Sequence, residues 1–303
     1  MKILITDGIE QFVIEALLQQ GHTVECTHYP PEELGGKLKE FDAVIIRSAT
    51  KIRATQLEEA KDGNLKLIIR AGVGVDNIDV DKAKELGITV RNTPNAPSIA
   101  VAELAIAHMF SCARYISVAG ATIRQGKWEK KAYGHGFELY GKTLGILGFG
   151  RIGRKVAAIA KGIGMKVIAY DPFPQPNLED FGVSFLPLDT VLSQADVISI
   201  HSPAQKEPII TAEKIQKMKD GVVLINTSRG CNVDETALLE GLNSGKIRAA
   251  GLDVWAEEPT WNQALYTHPA VSSTPHIGTS TEESQTRIGE EVVQIIRDFC
   301  QNS

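Results

Sequence analysis

Short apolar runs rich in β-branched residues alternate along the whole chain with longer stretches whose apolar residues recur at helical spacing. This alternation predicts βαβ units with parallel sheets, and hence an α/β fold. The predicted strands lie near Lys2–Thr6, Ala43–Arg47, Leu67–Arg70, Thr89–Arg91, Leu144–Leu147, Val167–Tyr170, Val197–His201, Val222–Thr227, Ala249–Asp253 and Val271–Thr274.

A glycine-rich turn, Gly148-Phe149-Gly150-Arg151-Ile152-Gly153, follows one of these strands and opens a predicted helix. Gly148 permits a tight turn, Gly150 leaves the backbone open to a pyrophosphate, and Gly153 lets the helix pack close to the strand. The helix then directs free N–H groups and its positive dipole end at the phosphates. The context predicts a dinucleotide site, although a glycine turn that binds nothing is the alternative.

Asp171 ends the second strand of this unit, where its carboxylate can accept both hydroxyls of an adenosine ribose. An acid repels a 2′-phosphate, and the segment Pro172–Pro174 supplies no Arg to replace it. The predicted cofactor is therefore NAD rather than NADP.

The strands before residue 92 form a run separate from those after residue 143, which predicts two sheets. The segment Asn92–Pro97 interrupts the pattern, and Ser98 can cap a long helix that crosses between domains. A second crossing is expected at Thr279–Thr281, before a final helix. We predict two doubly wound parallel-sheet domains: a Rossmann NAD domain over 98–276, inserted into a discontinuous flavodoxin-like substrate domain of 1–97 and 277–303.

Composition supports a globular protein without a membrane or nucleic-acid role. Hydrophobic residues make up 43% of the 303 residues, charged residues 23%, and the net charge is −5. No apolar run is long enough for a membrane helix, and the N-terminus lacks a signal-peptide pattern. The four cysteines lie far apart without metal-binding spacing, which favours reduced thiols, a cytoplasmic location and no metal.

Three reactive side chains follow predicted strands, at the sheet edge where ligands bind in such folds: Arg229, Glu258 and His276. An arginine can fork onto a carboxylate, and a histidine beside a glutamate is an oriented general base. Oxidation of a 2-hydroxy acid needs both functions. Each residue alone also suits a surface or loop role, but their coincidence beside a dinucleotide turn favours catalysis.

Two further features of the N-terminal part suggest anion binding. Successive N–H groups of the turn Gly72-Val73-Gly74 can cup a carboxylate, with a plain tight turn as the alternative. Arg47 ends the strand after Ala43 and is the best candidate for a substrate phosphate, while Lys51, Arg53 and Lys130–Lys131 equally suit a solvated surface.

These motifs, in this order, resemble the D-isomer-specific 2-hydroxyacid dehydrogenase family over almost the whole chain. The resemblance implies that Arg229 binds the substrate carboxylate and carbonyl, that His276 exchanges the proton and that Glu258 holds His276. It also implies a homodimer through the NAD domain. The residues expected at the cofactor are Gly148, Gly150, Arg151, Ile152, Gly153, Asp171, Ser202, Thr227, Ser228, Asp253, Gly278 and Val73.

Within the family, several segments most resemble the D-3-phosphoglycerate dehydrogenases. They include Ile46–Lys51, Arg70–Asp79, Gly126–Lys131 and Gly278–Gln285. The expected substrate is a phosphorylated 2-hydroxy acid, 3-phospho-D-glycerate, oxidised to 3-phosphohydroxypyruvate in the first step of serine synthesis. The sequence ends soon after its closing helix, so we expect a short form without a C-terminal regulatory domain.

Two alternatives remain open. One is a glyoxylate, hydroxypyruvate or D-lactate type reductase that uses the same three residues. The other is a binding protein similar to the NAD-sensing corepressors that the family also resembles. The predicted substrate site argues against the second, and turnover with NAD would separate the two classes.

Overall fold

A computed structural model describes residues 1–173 and 182–301, which divide into two compact units. The first unit comprises 1–97 and 279–303, and the second comprises 98–278. Residues 277 and 278 thus group with the second unit, whereas the sequence predicts a boundary just before them.

The first unit is a five-stranded parallel sheet with helices between its strands. The strand order β2-β1-β3-β4-β5 is that of a flavodoxin-like doubly wound sheet. Its elements are β1 (Lys2–Ile5), α1 (Gln11–Gln19), β2 (Thr23–Cys26), α2 (Pro31–Leu38), β3 (Ala43–Ile46), α3 (Ala54–Ala60), β4 (Leu67–Arg70), α4 (Val80–Glu85), β5 (Thr89–Asn92) and α12 (Glu282–Gln301).

The core of this unit lies on both faces of the sheet, because alternate residues of each strand point to opposite sides. In β1, Leu4 packs with α2 and α3, whereas Ile3 and Ile5 pack with α1 and α12. Both faces are apolar, as expected for a parallel sheet covered by helices.

The second unit is a seven-stranded parallel sheet with the order β12-β11-β10-β9-β6-β7-β8. Its elements are α5 (Ser98–Arg114), α6 (Ile116–Arg124), β6 (Thr143–Leu147), α7 (Arg151–Gly162), β7 (Lys166–Tyr170), β8 (Ser184–Phe185), α8 (Leu188–Gln194), β9 (Val197–Ile200), α9 (Ala212–Lys217), β10 (Val222–Asn226), α10 (Glu235–Ser244), β11 (Ile247–Leu252), α11 (Gln263–Tyr266) and β12 (Val271–Ser273).

The order of strands reverses between β6 and β9, which creates the crevice where a Rossmann sheet binds its ligand. The prediction of two doubly wound parallel-sheet units is therefore confirmed. Two short strands at sheet edges, β2 and β8, were not predicted from the sequence.

Within the described residues, no single helix is long and apolar enough to cross a membrane. Helices α5 and α6 reach that length and hydropathy only when joined, and the chain bends by 68° between them.

Candidate active site

The second unit brings His276 and Glu258 into direct contact. Glu258 follows β11, His276 follows β12, and the distance from His276 Nδ1 to Glu258 Oε2 is 2.6 Å. The N–H of Trp255 donates to the other carboxylate oxygen at 3.1 Å. Both side chains remain more than one-third exposed. Because Nδ1 is bonded to the carboxylate, Nε2 is the ring nitrogen that can reach a ligand.

The environment of Glu258 favours its charged form. Partial burial alone would raise the pKa of Glu258, but this is outweighed by the hydrogen bond and charge of His276, the N–H of Trp255 and the charge of Arg229. The pKa of Glu258 therefore lies below its ordinary value. A carboxylate that stays ionised can both orient an imidazole ring and stabilise its protonated form.

Arg229 follows β10, and a buried amide network fixes its backbone. Asn226 donates from Nδ2 to the carbonyl of Arg229 at 2.8 Å, and its Oδ1 accepts from the N–H and hydroxyl of Ser228. Asn232 Nδ2 donates to the carbonyl of Ser202 at 3.1 Å and lies 3.2 Å from Ser228 Oγ. Sequence reasoning did not identify Asn226 or Asn232, because their role appears only once their partners are placed.

The glycine-rich turn has room for a phosphate group. Gly148 has a φ of 93°, a left-handed value that favours glycine, and a Cβ there would lie 2.7 Å from Ser202 Oγ. A Cβ at Gly150 would meet no atom within 4 Å, so no packing within the protein requires glycine there. The helix α7 begins at Arg151, and its first N–H groups have no acceptor in the helix. These features fit a bound pyrophosphate.

Asp171 lies beside this turn, at the end of β7. One carboxylate oxygen accepts the N–H of Phe149 at 2.8 Å, and the other accepts the N–H of Phe173 at 2.8 Å. Each ionised oxygen can accept a second hydrogen bond, so capacity remains for the two ribose hydroxyls. Pro174, part of the segment without arginine, lies outside the described residues.

Other predicted cofactor residues lie at the carboxyl ends of β9, β10 and β11. Thr227 is buried, and its hydroxyl has no hydrogen-bond partner among the residues described. A buried orphan hydroxyl is uncommon in folded proteins and indicates a partner supplied by a ligand. Ser202 donates to the carbonyl of Leu147 at 3.2 Å, and the carboxylate of Asp253 accepts the N–H of Gly278 at 2.8 Å.

In the first unit, Arg47 follows β3 in a loop that is held firmly. Its N–H donates to Asp7 at 2.7 Å, and its carbonyl accepts from Asn77 Nδ2 at 2.7 Å. Its guanidinium makes no hydrogen bond or ion pair within residues 1–173 and 182–301. Arg53, by contrast, is 3.3 Å from Asp79 and also donates to a carbonyl.

The turn Gly72-Val73-Gly74 in the same unit presents free donors. Gly72 has a φ of 151°, and the carbonyl of Val73 accepts from Asn92 Nδ2. Within the part of the chain that the structure describes, the N–H groups of Val73 and Gly74 have no partner. Two unpaired N–H groups in succession can bind a carboxylate.

Among the described residues, no three histidine, cysteine, aspartate or glutamate side chains form a group that could hold a metal ion.

Comparison with known proteins identifies the family. Residues 106–278 match the model of the D-isomer specific 2-hydroxyacid dehydrogenase, NAD binding domain. The chain is 46% identical to a hydroxypyruvate reductase of Thermotoga maritima, over 97% of both chains. It is 43% identical to a D-3-phosphoglycerate dehydrogenase of Methanocaldococcus jannaschii, over 98% of this chain and 58% of the relative. The chain thus spans little more than half of that relative.

A solved structure agrees with these sequence matches. The D-lactate dehydrogenase of Aquifex aeolicus, complexed with NAD and lactic acid, superposes with a TM-score of 0.87 at 30% identity. The alignment covers 99% of this chain and 96% of that one. The chain belongs to the D-isomer specific 2-hydroxyacid dehydrogenase family, whose members are NAD-dependent enzymes, and residues 106–278 form its NAD-binding domain.

Proposed function

We propose that this protein oxidises 3-phospho-D-glycerate to 3-phosphohydroxypyruvate with NAD, the step that opens serine synthesis. The observation that carries the choice of a phosphorylated substrate is Arg47, whose guanidinium has no partner among the described residues although its backbone is fixed. Similarity to phosphoglycerate dehydrogenases at 43% identity supports the same choice.

The residues of the second unit supply the acid–base chemistry. His276 accepts the proton of the C2 hydroxyl on Nε2, while Glu258 holds Nδ1 and stabilises the positive charge that develops on the ring. Arg229 binds the substrate carboxylate and carbonyl oxygen, which fixes C2 and polarises the carbonyl in the reverse direction. In the first unit, the N–H groups of Val73 and Gly74 are donors of the kind that binds a carboxylate.

Bound NAD supplies the acceptor for the hydride that C2 loses. Gly150 and the start of α7 hold its pyrophosphate, and Asp171 accepts the ribose hydroxyls. Arg151, Ile152 and Gly153 continue this cradle. The remainder of the dinucleotide is lined by residues of the second unit: Ser202, Thr227, Ser228, Asp253 and Gly278.

Asp171 should determine cofactor choice. We expect kcat/KM for NAD to exceed that for NADP by at least about tenfold, roughly 1.4 kcal/mol, because the carboxylate binds the ribose hydroxyls and repels a 2′-phosphate. Replacement of Asp171 by Ala should narrow this ratio, as measured by steady-state rates with both cofactors.

Asp189→Ala, which removes an exposed carboxylate paired with Lys217, serves as the charge-matched control and should leave the ratio unchanged. Equal kcat/KM for the two cofactors in the unaltered protein would contradict the prediction that Asp171 selects NAD over NADP.

Glu258→Gln should change the pH profile. The folded protein depresses the pKa of Glu258, so its negative charge is present at neutral pH and is lost only as pH falls through that lowered value. A neutral glutamine no longer stabilises the protonated imidazole. The acidic limb of the oxidation profile should therefore move to lower pH by about one unit.

The measurement is kcat for oxidation between pH 5 and 9, with cofactor and substrate saturating. Exposed Glu257→Gln is the neighbouring control and should keep the original profile. A Glu258→Gln profile that moved toward higher pH would contradict the assigned role.

Arg47→Ala tests the substrate assignment. A charge-assisted hydrogen bond to phosphate contributes about 1.5–3 kcal/mol, so KM for 3-phosphoglycerate should rise more than about tenfold. Activity on an unphosphorylated 2-hydroxy acid should be almost unchanged. Lys51→Ala removes a nearby exposed charge and should alter neither KM.

A second candidate is reduction of hydroxypyruvate or glyoxylate, since a hydroxypyruvate reductase is 46% identical over nearly the whole of both chains. Hydroxypyruvate differs from the proposed product only by the phosphate, so the two candidates share the roles of Arg229, Glu258 and His276. If Arg47→Ala weakens both kinds of substrate equally, this second candidate replaces the first.

The proposed assembly is a homodimer through the second unit, in the cytoplasm. Large exposed apolar side chains concentrate on α5, α6 and the segment that follows them: Phe110, Ile116, Ile123, Trp128 and Tyr140. Exposed apolar surface of this kind is typical of a contact between subunits.

A further inference from the structure

A buried histidine connects the helix α5 to the strand that leads into His276. His108 is 2% exposed, and its Nδ1 lies 3.0 Å from Ser272 Oγ, in β12. Its Nε2 lies 3.0 Å from the hydroxyl of Thr274, two residues before His276. Both nitrogens of this imidazole are therefore engaged with the end of β12.

The hydrogen bonds that join His108, Thr274 and Asp253 have one direction. The hydroxyl of Thr274 donates its single proton to Asp253 Oδ1 at 2.6 Å, so it can only accept from His108 Nε2. Burial lowers the pKa of His108, although the charge of Asp253 opposes this, and the ring is neutral near pH 7. With Nε2 as the donor, the chain of hydrogen bonds leads from His108 through Thr274 to Asp253, whereas the hydroxyl of Ser272, beside Nδ1, donates to Ser111 Oγ at 2.9 Å.

Asp253 accepts hydrogen bonds from three consecutive N–H groups of the loop that carries the proposed base. Its main-chain carbonyl accepts the N–H of His276 at 2.8 Å. Its carboxylate accepts the N–H of Ile277 at 2.8 Å on Oδ1 and the N–H of Gly278 at 2.8 Å on Oδ2. Rotation of this carboxylate would disturb both of the latter bonds, so its orientation matters.

The loop needs such support because His276 has a φ of 54°. The left-handed region is unfavourable for a non-glycine residue, and such a conformation persists only where the surroundings determine it. Relaxation of that backbone would move the imidazole, whose position relative to the substrate governs the rate.

We propose that His108 and Thr274 are positioning residues that hold His276 in its strained conformation through Asp253. This inference rests on the proposed role of His276 as the base. Neither residue touches the substrate; His108 orients the hydroxyl of Thr274, and that hydroxyl fixes the carboxylate that binds the loop.

Thr274→Val tests the link, because it removes the hydroxyl and keeps the β-branched shape. We expect kcat to fall about tenfold, since misplacement of a reacting group by about 1 Å can cost a hundredfold. KM for the substrate should change less than about threefold. Thr274→Ser, which restores a hydroxyl, should recover most of kcat. Thr143→Val is the matched control, because Thr143 is the first residue of β6 whereas Thr274 follows the last residue of β12. This variant should behave as the unaltered protein.

His108 supplies an independent pair of variants. His108→Leu removes both ring nitrogens and should lower kcat to a similar degree as Thr274→Val. His108→Gln retains an N–H donor near the position of Nε2 and should be closer to the unaltered protein. The double variant of His108→Leu and Thr274→Val should lose little more than either single variant, because both break the same chain of bonds.

Amide hydrogen exchange tests the same link without any activity. In Thr274→Val, the N–H groups of Ile277 and Gly278 should exchange at least about fivefold faster, while those of β6 should be unchanged. Unchanged exchange at both residues overturns the proposal whatever the activity. Faster exchange with unchanged kcat in an active enzyme also overturns it. If the unaltered protein turns over no 2-hydroxy acid, the proposed function fails, and faster exchange still supports the structural link.

Discussion

Replacement of His276 by Ala should lower kcat about a hundredfold or more, because general-base catalysis contributes roughly 10²–10⁴. The loss should appear in both directions, since the same ring takes the hydroxyl proton and returns it to the carbonyl oxygen. Affinity for NADH, measured by fluorescence titration, should hardly change. His276→Asn should behave similarly and tolerates the positive φ better than Ala, which separates lost chemistry from a disturbed backbone.

His135→Ala is the matched control, because His135 is exposed and lies in the same unit. It should retain the kcat of the unaltered protein. If His276→Ala and His276→Asn kept activity within about threefold of the original, another group would have to be the base.

Arg229 should give the second large effect. Replacement by Gln removes a guanidinium that can make two charge-assisted bonds, each worth about 1.5–3 kcal/mol, so kcat/KM should fall about a hundredfold or more. Arg229→Lys keeps the charge but loses the fork, and an intermediate loss is expected. Steady-state kinetics with a 2-oxo acid and NADH would measure both.

Arg248→Lys provides the control, since the exposed guanidinium of Arg248 packs on the ring of Phe137, 4.6 Å from its centroid. Its kcat/KM should match that of the unaltered enzyme. A normal KM and kcat in Arg229→Gln would show that the substrate carboxylate binds elsewhere.

The sequence allowed the fold class to be predicted because the central strands are apolar on both faces. β3 and β9 are buried along their whole length, so their periodicity and composition stand out. The strand β2 was missed because it lies at an edge, where Thr23 and Cys26 are exposed and the apolar signal fades. β8 has two residues, too few for any pattern.

The candidate reactive residues could be proposed from sequence because they follow strands directly, and strand ends are where parallel sheets bind ligands. The contacts that support these residues could not be predicted from the sequence. In the sequence, His108 is only one residue of the long helix predicted after Ser98, and the folded chain alone shows its ring hydrogen-bonded to Ser272 and Thr274. The bonds from Phe149 and Phe173 to Asp171 likewise depend on loop geometry, which spacing along the chain does not determine.

The 2-hydroxy acid that the unaltered enzyme prefers separates the phosphoglycerate function from the reductase function. The most direct test is kcat/KM for 3-phosphohydroxypyruvate and for hydroxypyruvate, measured with NADH under the same conditions. We expect the phosphorylated acid to be favoured by at least about tenfold, from the additional bond to Arg47. Equal or greater kcat/KM for hydroxypyruvate would contradict the phosphoglycerate assignment, and no turnover of either acid would contradict the catalytic account itself.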